Sequence, residues 1–132
     1  TNPQLGTRGA RRIVGEYLLT EKDMDTKTPF DDTIAVFPSV DRGQDSIKYP
    51  LAYMPYRCPI PRKVNNLLVA CRAFSSNAVH NNFFNLIPHC IALGEAAGIA
   101  AAQAISSGVD LRKINIKALQ ASLKKQGAIL PA

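Results

Sequence analysis

Apolar positions come in short bursts up to residue 70 and in a helical rhythm after residue 86. Residues 11–19, RRIVGEYLL, are rich in β-branched and aromatic side chains and read as a strand. Thr20 followed by Glu-Lys-Asp has the pattern of a helix N-cap with an acidic third position, so a short helical turn is expected there. Thr28-Pro29 breaks it. Residues 33–37, TIAVF, read as a second strand stopped by Pro38, and 39–46 as a polar loop with Gly43. Residues 47–53 read as a third strand, placed at an edge because Pro50 interrupts it. Residues 54–61, MPYRCPIP, carry three prolines and read as a rigid connector between two regions. Residues 66–70, NLLVA, form a continuous apolar run of strand length, which predicts a strand buried on both faces as in a parallel sheet.

Residues 72–85 are polar and read as an irregular loop. Pro88 then suits the first turn of a helix that runs to Ser107, with Gly108 as its stop. A last helix has Asn115 as N-cap and Gly127 as stop, with Ile116, Leu119 and Leu123 along one face. In the longer helix Gly94, Ala97, Gly98 and Ala101 fall at i, i+3, i+4 and i+7, on one side. Each glycine costs a helix interior about 1 kcal/mol relative to alanine. Small side chains let another backbone come close, so this stripe is expected to lie against a strand or sheet. The start of the same helix offers unpartnered N–H groups with partial positive charge. A strand, a loop and a helix start in that order make a natural anion or carbonyl-oxygen site.

Composition narrows the classes. At 132 residues the length suits one domain, and 46% hydrophobic content supplies a core. The net charge of +6 permits an anionic partner. Yet Arg8, Arg11, Arg12, Arg57, Arg62, Lys63, Lys113, Lys117, Lys124 and Lys125 are scattered, without aromatic-basic alternation. Surface charge is the better reading than a nucleic-acid patch, and a small basic nucleic-acid or anion-binding module remains the alternative. Cys58, Cys71 and Cys90 are odd in number and form no CxxC pair, which argues against a zinc site or a disulfide scaffold. Buried thiols in a reducing, cytoplasmic setting fit better. No apolar signal core opens the sequence, and the apolar window 86–105 contains Pro88, His89, Glu95 and Gln103, so no membrane span is expected.

Several stretches together resemble the C-terminal end of FAD-dependent oxidoreductases of the broad fumarate reductase and glutathione reductase type. They are GARRIVGEYLLTEKD, MPYRCPIP, the run NLLVACRAFSSNAVHNNFFNLIPHCIALGEAAGIAAA, and LQASLKKQGAIL. The likeness is colinear and covers nearly the whole chain. It implies an α/β (α+β) piece. Residues 1–62 would be the end of a substrate or cap domain. Residues 63–108 would be the last strand, loop and helix of a Rossmann-like FAD-binding domain, and 109–132 a helical tail. No GxGxxG occurs in the sequence, so the ADP half of FAD would be held by an N-terminal part of the same protein. The chain alone is expected to bind FAD poorly and to be inactive, and exposed sheet edges allow an oligomer.

The resemblance also implies roles. Cys71, Arg72 and Ala73 would lie beside the cofactor, with Cys71 where the family has Gly. Leu86, Ile87 and Pro88 would form the helix start under the flavin ring. His80, Asn82 and Asn85 would face the substrate side, His80 as a candidate acid or base. Asn82 to Asn85 read Asn-Phe-Phe-Asn where the family often has Gly-Ser-Ile-Arg, so Phe83 and Asn85 depart from the pattern. Arg12, Tyr56 and Arg57 would face an organic small-molecule substrate. For Arg12 and Glu16, alternating on the first strand, a surface ion pair is the plain structural reading, as a turn is for Tyr56-Arg57. A non-catalytic assembly domain is a third reading, suggested by the altered Gly and Arg positions.

Overall fold

The computed structural model describes residues 11–40 and 47–131. Among the described residues it is a mixed α+β arrangement whose complete elements are four α-helices, one short 3₁₀ turn and a two-stranded sheet. Helix α1 spans Glu21–Thr26, strand β1 Thr33–Pro38, strand β2 Leu51–Pro55, helix α2 Ala78–Phe84, helix α3 Ile87–Ser107 and helix α4 Ile116–Lys125. The loop expected around Gly43 falls largely outside the described residues.

Local signals set most helix ends. The Asp23 carboxylate accepts from the Thr20 backbone N–H at 2.7 Å, closing the box that starts α1. Gly108 ends α3 at φ 64, a conformation that disfavours a Cβ. Asn115 Oδ1 accepts from the Ala118 N–H at 3.1 Å and caps α4.

Strands β1 and β2 are antiparallel, with Val36 opposite Tyr53 and a one-residue shift between Thr33 and Ala35. The second strand begins after Pro50, not at residue 47, since Pro50 cannot donate to a ladder. Ile34, Phe37, Met54, Phe74, Phe84, Leu93, Leu119 and Leu123 form the core between this sheet and the α3 and α4 helices. Gln120 Nε2 ties α4 to the start of β1 by donating to the carbonyls of Asp31 at 2.9 Å and Thr33 at 3.0 Å.

Three expectations are corrected. Residues 11–19 form no regular strand. They thread between two segments, with Glu16 N–H donating to Ile60 O, Arg62 N–H to Val14 O and Ile13 N–H to Ala73 O. Only isolated bridges result, Gly15 with Pro61 and Leu19 with Ser76. Residues 66–70 form no strand and are not buried on both faces. Leu67 is exposed, and the segment's backbone contact is Val69 N–H to Pro59 O at 2.8 Å. A strand requires a neighbour to take its backbone bonds, and none of the described residues runs alongside it as one. The supposed loop 72–85 contains α2, capped by Asn77, whose Oδ1 accepts from the His80 N–H at 2.9 Å.

The orientation of α3 is also not the expected one. Leu93, Ala96, Ala100 and Ala104 face the core. The Gly94–Gly98 stripe faces outward, and among the described residues nothing lies within 4 Å of where a Cβ would stand at either glycine. Ile87, Ile91 and Ile105 on the outer side are 77%, 66% and 83% exposed. By length and composition α3 could cross a membrane, while its inner face packs on β1 and α4.

Candidate functional site

The turn after residue 70 is tied to the end of α2, just before α3. Phe74 N–H closes a turn onto Cys71 O at 3.1 Å. Asn81, on the buried side of α2, donates through Nδ2 to Arg72 O at 3.0 Å and to Ser76 Oγ at 3.3 Å. Asn85 Nδ2 reaches Asn81 Oδ1 at 3.4 Å, while Asn85 Oδ1 is buried without a partner. Asn81 and Asn85 thereby link the Cys71–Ala73 turn to the residue just before Leu86. Burial pushes up the Cys90 thiol, one turn into α3, and Arg72 offsets this in part. Cys71, Arg72, Ile87 and Pro88 are exposed.

The helix start has its own lock. His89 Nδ1 accepts from the Leu86 N–H at 3.3 Å, and Nε2 lies 2.9 Å from Pro38 O. Nδ1 must be the acceptor and Nε2 the donor, which is the neutral imidazole. Burial pushes the His89 pKa down, opposed by the bond to Pro38. The Leu86 N–H is therefore committed inside the protein, whereas the Ile87 N–H, at the first helical position, has no partner within the helix. A packing or capping role is what the place of His89 in the first helical turn suggests, and the structure shows both. The signal for capping was a side-chain acceptor at the third helical position, the place where a capping box puts Glu or Gln.

His80 is not on a loop. It sits in α2, fully buried, its ring 5.1 Å from Phe84 and 6.0 Å from Phe74. Neither ring nitrogen has a hydrogen-bond partner. Burial drops its pKa to about 4, with the Asp23 charge pulling the other way. Of the residues expected to face a substrate beside it, Asn82 is exposed and Asn85 is buried.

Tyr56 and Arg57 line a different place, a cleft of about 770 Å³ with Phe30, Asp32, Glu16 and Arg112, within the range of small-molecule sites. Arg57 is held by Asp32, Nε to Oδ2 at 2.8 Å and a second nitrogen to Oδ1 at 3.2 Å, and lies 4.8 Å over the Tyr17 ring. Arg112 pairs with Glu16 and donates to the carbonyls of Pro61 and Val64. Glu16 thus finds its cation across the fold rather than on its own segment. Tyr56 donates to Leu111 O at 2.9 Å, and burial raises its pKa, so its hydroxyl is fixed as a donor. Both guanidinium charges are matched by carboxylates. Arg12, half-buried, is not among the residues lining it. Among the described residues no three His, Cys, Asp or Glu side chains cluster as metal ligands do.

No match was found among curated proteins or among solved structures. The family profile for FAD dependent oxidoreductases matches residues 1–123. The chain belongs to the FAD dependent oxidoreductase family.

Proposed function

We propose that this chain is the C-terminal part of a flavoenzyme and builds one wall of its FAD site, in a protein that oxidises an organic small molecule by hydride transfer to flavin. The observation that carries the reading is the open outer face of α3. Two glycines in a helix interior weaken it by about 1 kcal/mol each, and here nothing among the described residues lies against them in return. With exposed Ile91 and Ile105 beside them and the unpaired run 66–70, they suit a covering layer of sheet from the rest of an FAD-binding domain.

The residues present fit the flavin end of the cofactor. An exposed turn and an exposed helix start are linked through Asn81 and Asn85, and the Ile87 N–H at the positive end of α3 has no partner within the helix. When bound, flavin supplies the two-electron acceptor. The helix start favours negative charge arising next to it, and Arg72 adds a cation on the linked turn. Asn81 and the His89 lock hold those two segments in place. The Tyr56–Arg57 cleft is the candidate surface for the substrate. The phosphate-binding half of the site has no counterpart in this sequence.

The test is absorbance. The purified 132-residue chain should be colourless, and the longer protein that contains it should carry flavin in a one-to-one ratio. Stoichiometric flavin on the chain alone, or none on the longer protein, would refute the reading.

A further inference from the structure

Arg57 is held rigidly at the wall of the cleft. Its Nε donates to Asp32 Oδ2 at 2.8 Å, its Nη2 to Oδ1 at 3.2 Å, and its backbone N–H to the same Oδ2 at 3.2 Å. Three bonds to one carboxylate fix the plane of the guanidinium. Its Cζ lies 4.8 Å from the centre of the Tyr17 ring and 5.9 Å from that of Phe30, and the two ring centres are 5.3 Å apart. Those distances make a nearly equilateral triangle, so both rings lie to one side of the guanidinium. Tyr17 is itself tied down, its hydroxyl donating to Asp23 Oδ1 at 2.7 Å. Arg57 lines the cleft and Tyr17 does not, which puts the guanidinium between the Tyr17 ring and the open space. The Arg57 side chain is 48% exposed, so the side turned from Tyr17 is free to meet a ligand.

We propose that the open face of the Arg57 guanidinium is a stacking platform, and that the cleft takes a flat aromatic small molecule with an electron-rich ring. A guanidinium stacks on aromatic faces, and the negative face of the ring is drawn to its charge. The ion pairs in the cleft favour this class over a carboxylate. An incoming acid would compete with Asp32 for the two nitrogens already given to it. It would find Arg112 already taken by Glu16 and by the carbonyls of Pro61 and Val64. A ring needs none of those donors, because it uses the face that the pairs leave open. Pro29, Phe30, Ile60 and Ile116 line the same cleft and give its rim apolar contact. Asp32 and Tyr17 order Arg57 before any ligand arrives, which lowers the entropy lost on binding. That the ring belongs to the substrate rests on the flavin reading. That a ring binds here does not, since every residue named belongs to this chain.

The test compares para-cresol with its ring-saturated analogue, which keeps the size and the hydroxyl but has no aromatic face. Each is titrated into the isotope-labelled chain while the Arg57 Nε–H signal is followed by NMR. The expected result is that para-cresol binds more tightly by about threefold or more. It should also move the Arg57 Nε–H signal upfield, as a ring stacked over that proton does. In Arg57→Leu the two compounds should bind equally. Equal affinity in the native chain, a preference that survives in Arg57→Leu, an Arg57 signal without an upfield shift, or no binding of either compound would each overturn the proposal. The native chain alone decides the first and last two of these, whether or not the variant folds. Flavin content of the longer protein is measured separately, so the platform and the flavin reading can fail independently.

Discussion

The His89 ring joins the start of α3 to the end of β1, its Nε2 2.9 Å from the Pro38 carbonyl oxygen. The same ring lies 4.7 Å from Phe37 and 5.5 Å from Phe84. One side chain therefore caps a helix, closes a strand end and fills core. His89→Ala leaves Pro38 O and Leu86 N–H without partners and opens a cavity. It should destabilise the fold by about 3 kcal/mol, read as a shifted urea midpoint. His89→Gln can keep the contact to Pro38 and should lose less. Equal losses in the two variants would mean that packing alone accounts for the residue.

His80 makes the fold sensitive to acid. Its pKa is about 4 when folded against an ordinary 6.5. Between those values the unfolded chain binds the proton and the folded chain does not. Stability is then complete above about pH 6.5 and falls as pH drops toward 4, by about 3 kcal/mol from this group. Burial lowers His89 as well, which adds in the same direction. His80→Leu removes two unpartnered ring nitrogens from the core. It should stabilise the chain by about 1 kcal/mol at neutral pH and flatten the acid slope. Denaturation curves at several pH values decide this, and an unchanged slope in the variant would rule the assignment out.

The cleft depends on contacts that come from its floor. Tyr56 is buried with its hydroxyl on Leu111 O at 2.9 Å, which fixes the 3₁₀ turn next to it. Tyr56→Phe removes one donor and leaves a carbonyl unpaired, for a loss of about 1 kcal/mol. Arg57→Ala breaks a pair whose cation is half-exposed and should change stability by less than about 1 kcal/mol. If the cleft holds the substrate, Arg57→Ala in the longer protein should raise KM more than the stability change explains. Steady-state kinetics beside the urea midpoint separates the two effects.

Elements set by neighbouring residues were legible in the sequence. Thr20 with Asp23, Pro88 with Gly108, and Asn115 with Gly127 mark helix ends because capping uses atoms a few positions apart. The run 66–70 was not legible, since β-branched and apolar content makes a strand only where another backbone pairs with it. Helix α2 was hidden by its polar composition, although Asn77 and the pairs Val79–Phe83 and His80–Phe84 at helical spacing carried the signal. In the site, the reading that pairs residues 71–73 with the helix start comes from the family likeness. The burial of His80 and the choice of Pro38 O as partner of His89 depend on the packed fold, and no local pattern encodes them.

Two sets of glycines separate what this chain needs for itself from what it keeps for a partner layer. A Cβ on Gly15 would meet Cys58 O at 2.6 Å and Ser75 Cβ at 2.7 Å, one of them backbone and both in the tightly threaded region. Gly15→Ala should therefore destabilise the chain by about 3 kcal/mol through overpacking. Gly94 and Gly98 have nothing within 4 Å, so Gly94→Ala and Gly98→Ala should each stabilise the chain alone by about 1 kcal/mol. If a sheet covers that face in the longer protein, larger side chains there must reverse the sign. Gly98→Leu should then leave the isolated chain folded while the longer protein loses flavin or fails to accumulate. Thermal melts of the chain and flavin content of the longer protein give both readings. A Gly98→Leu flavoprotein that retains full flavin would show that nothing packs against this stripe.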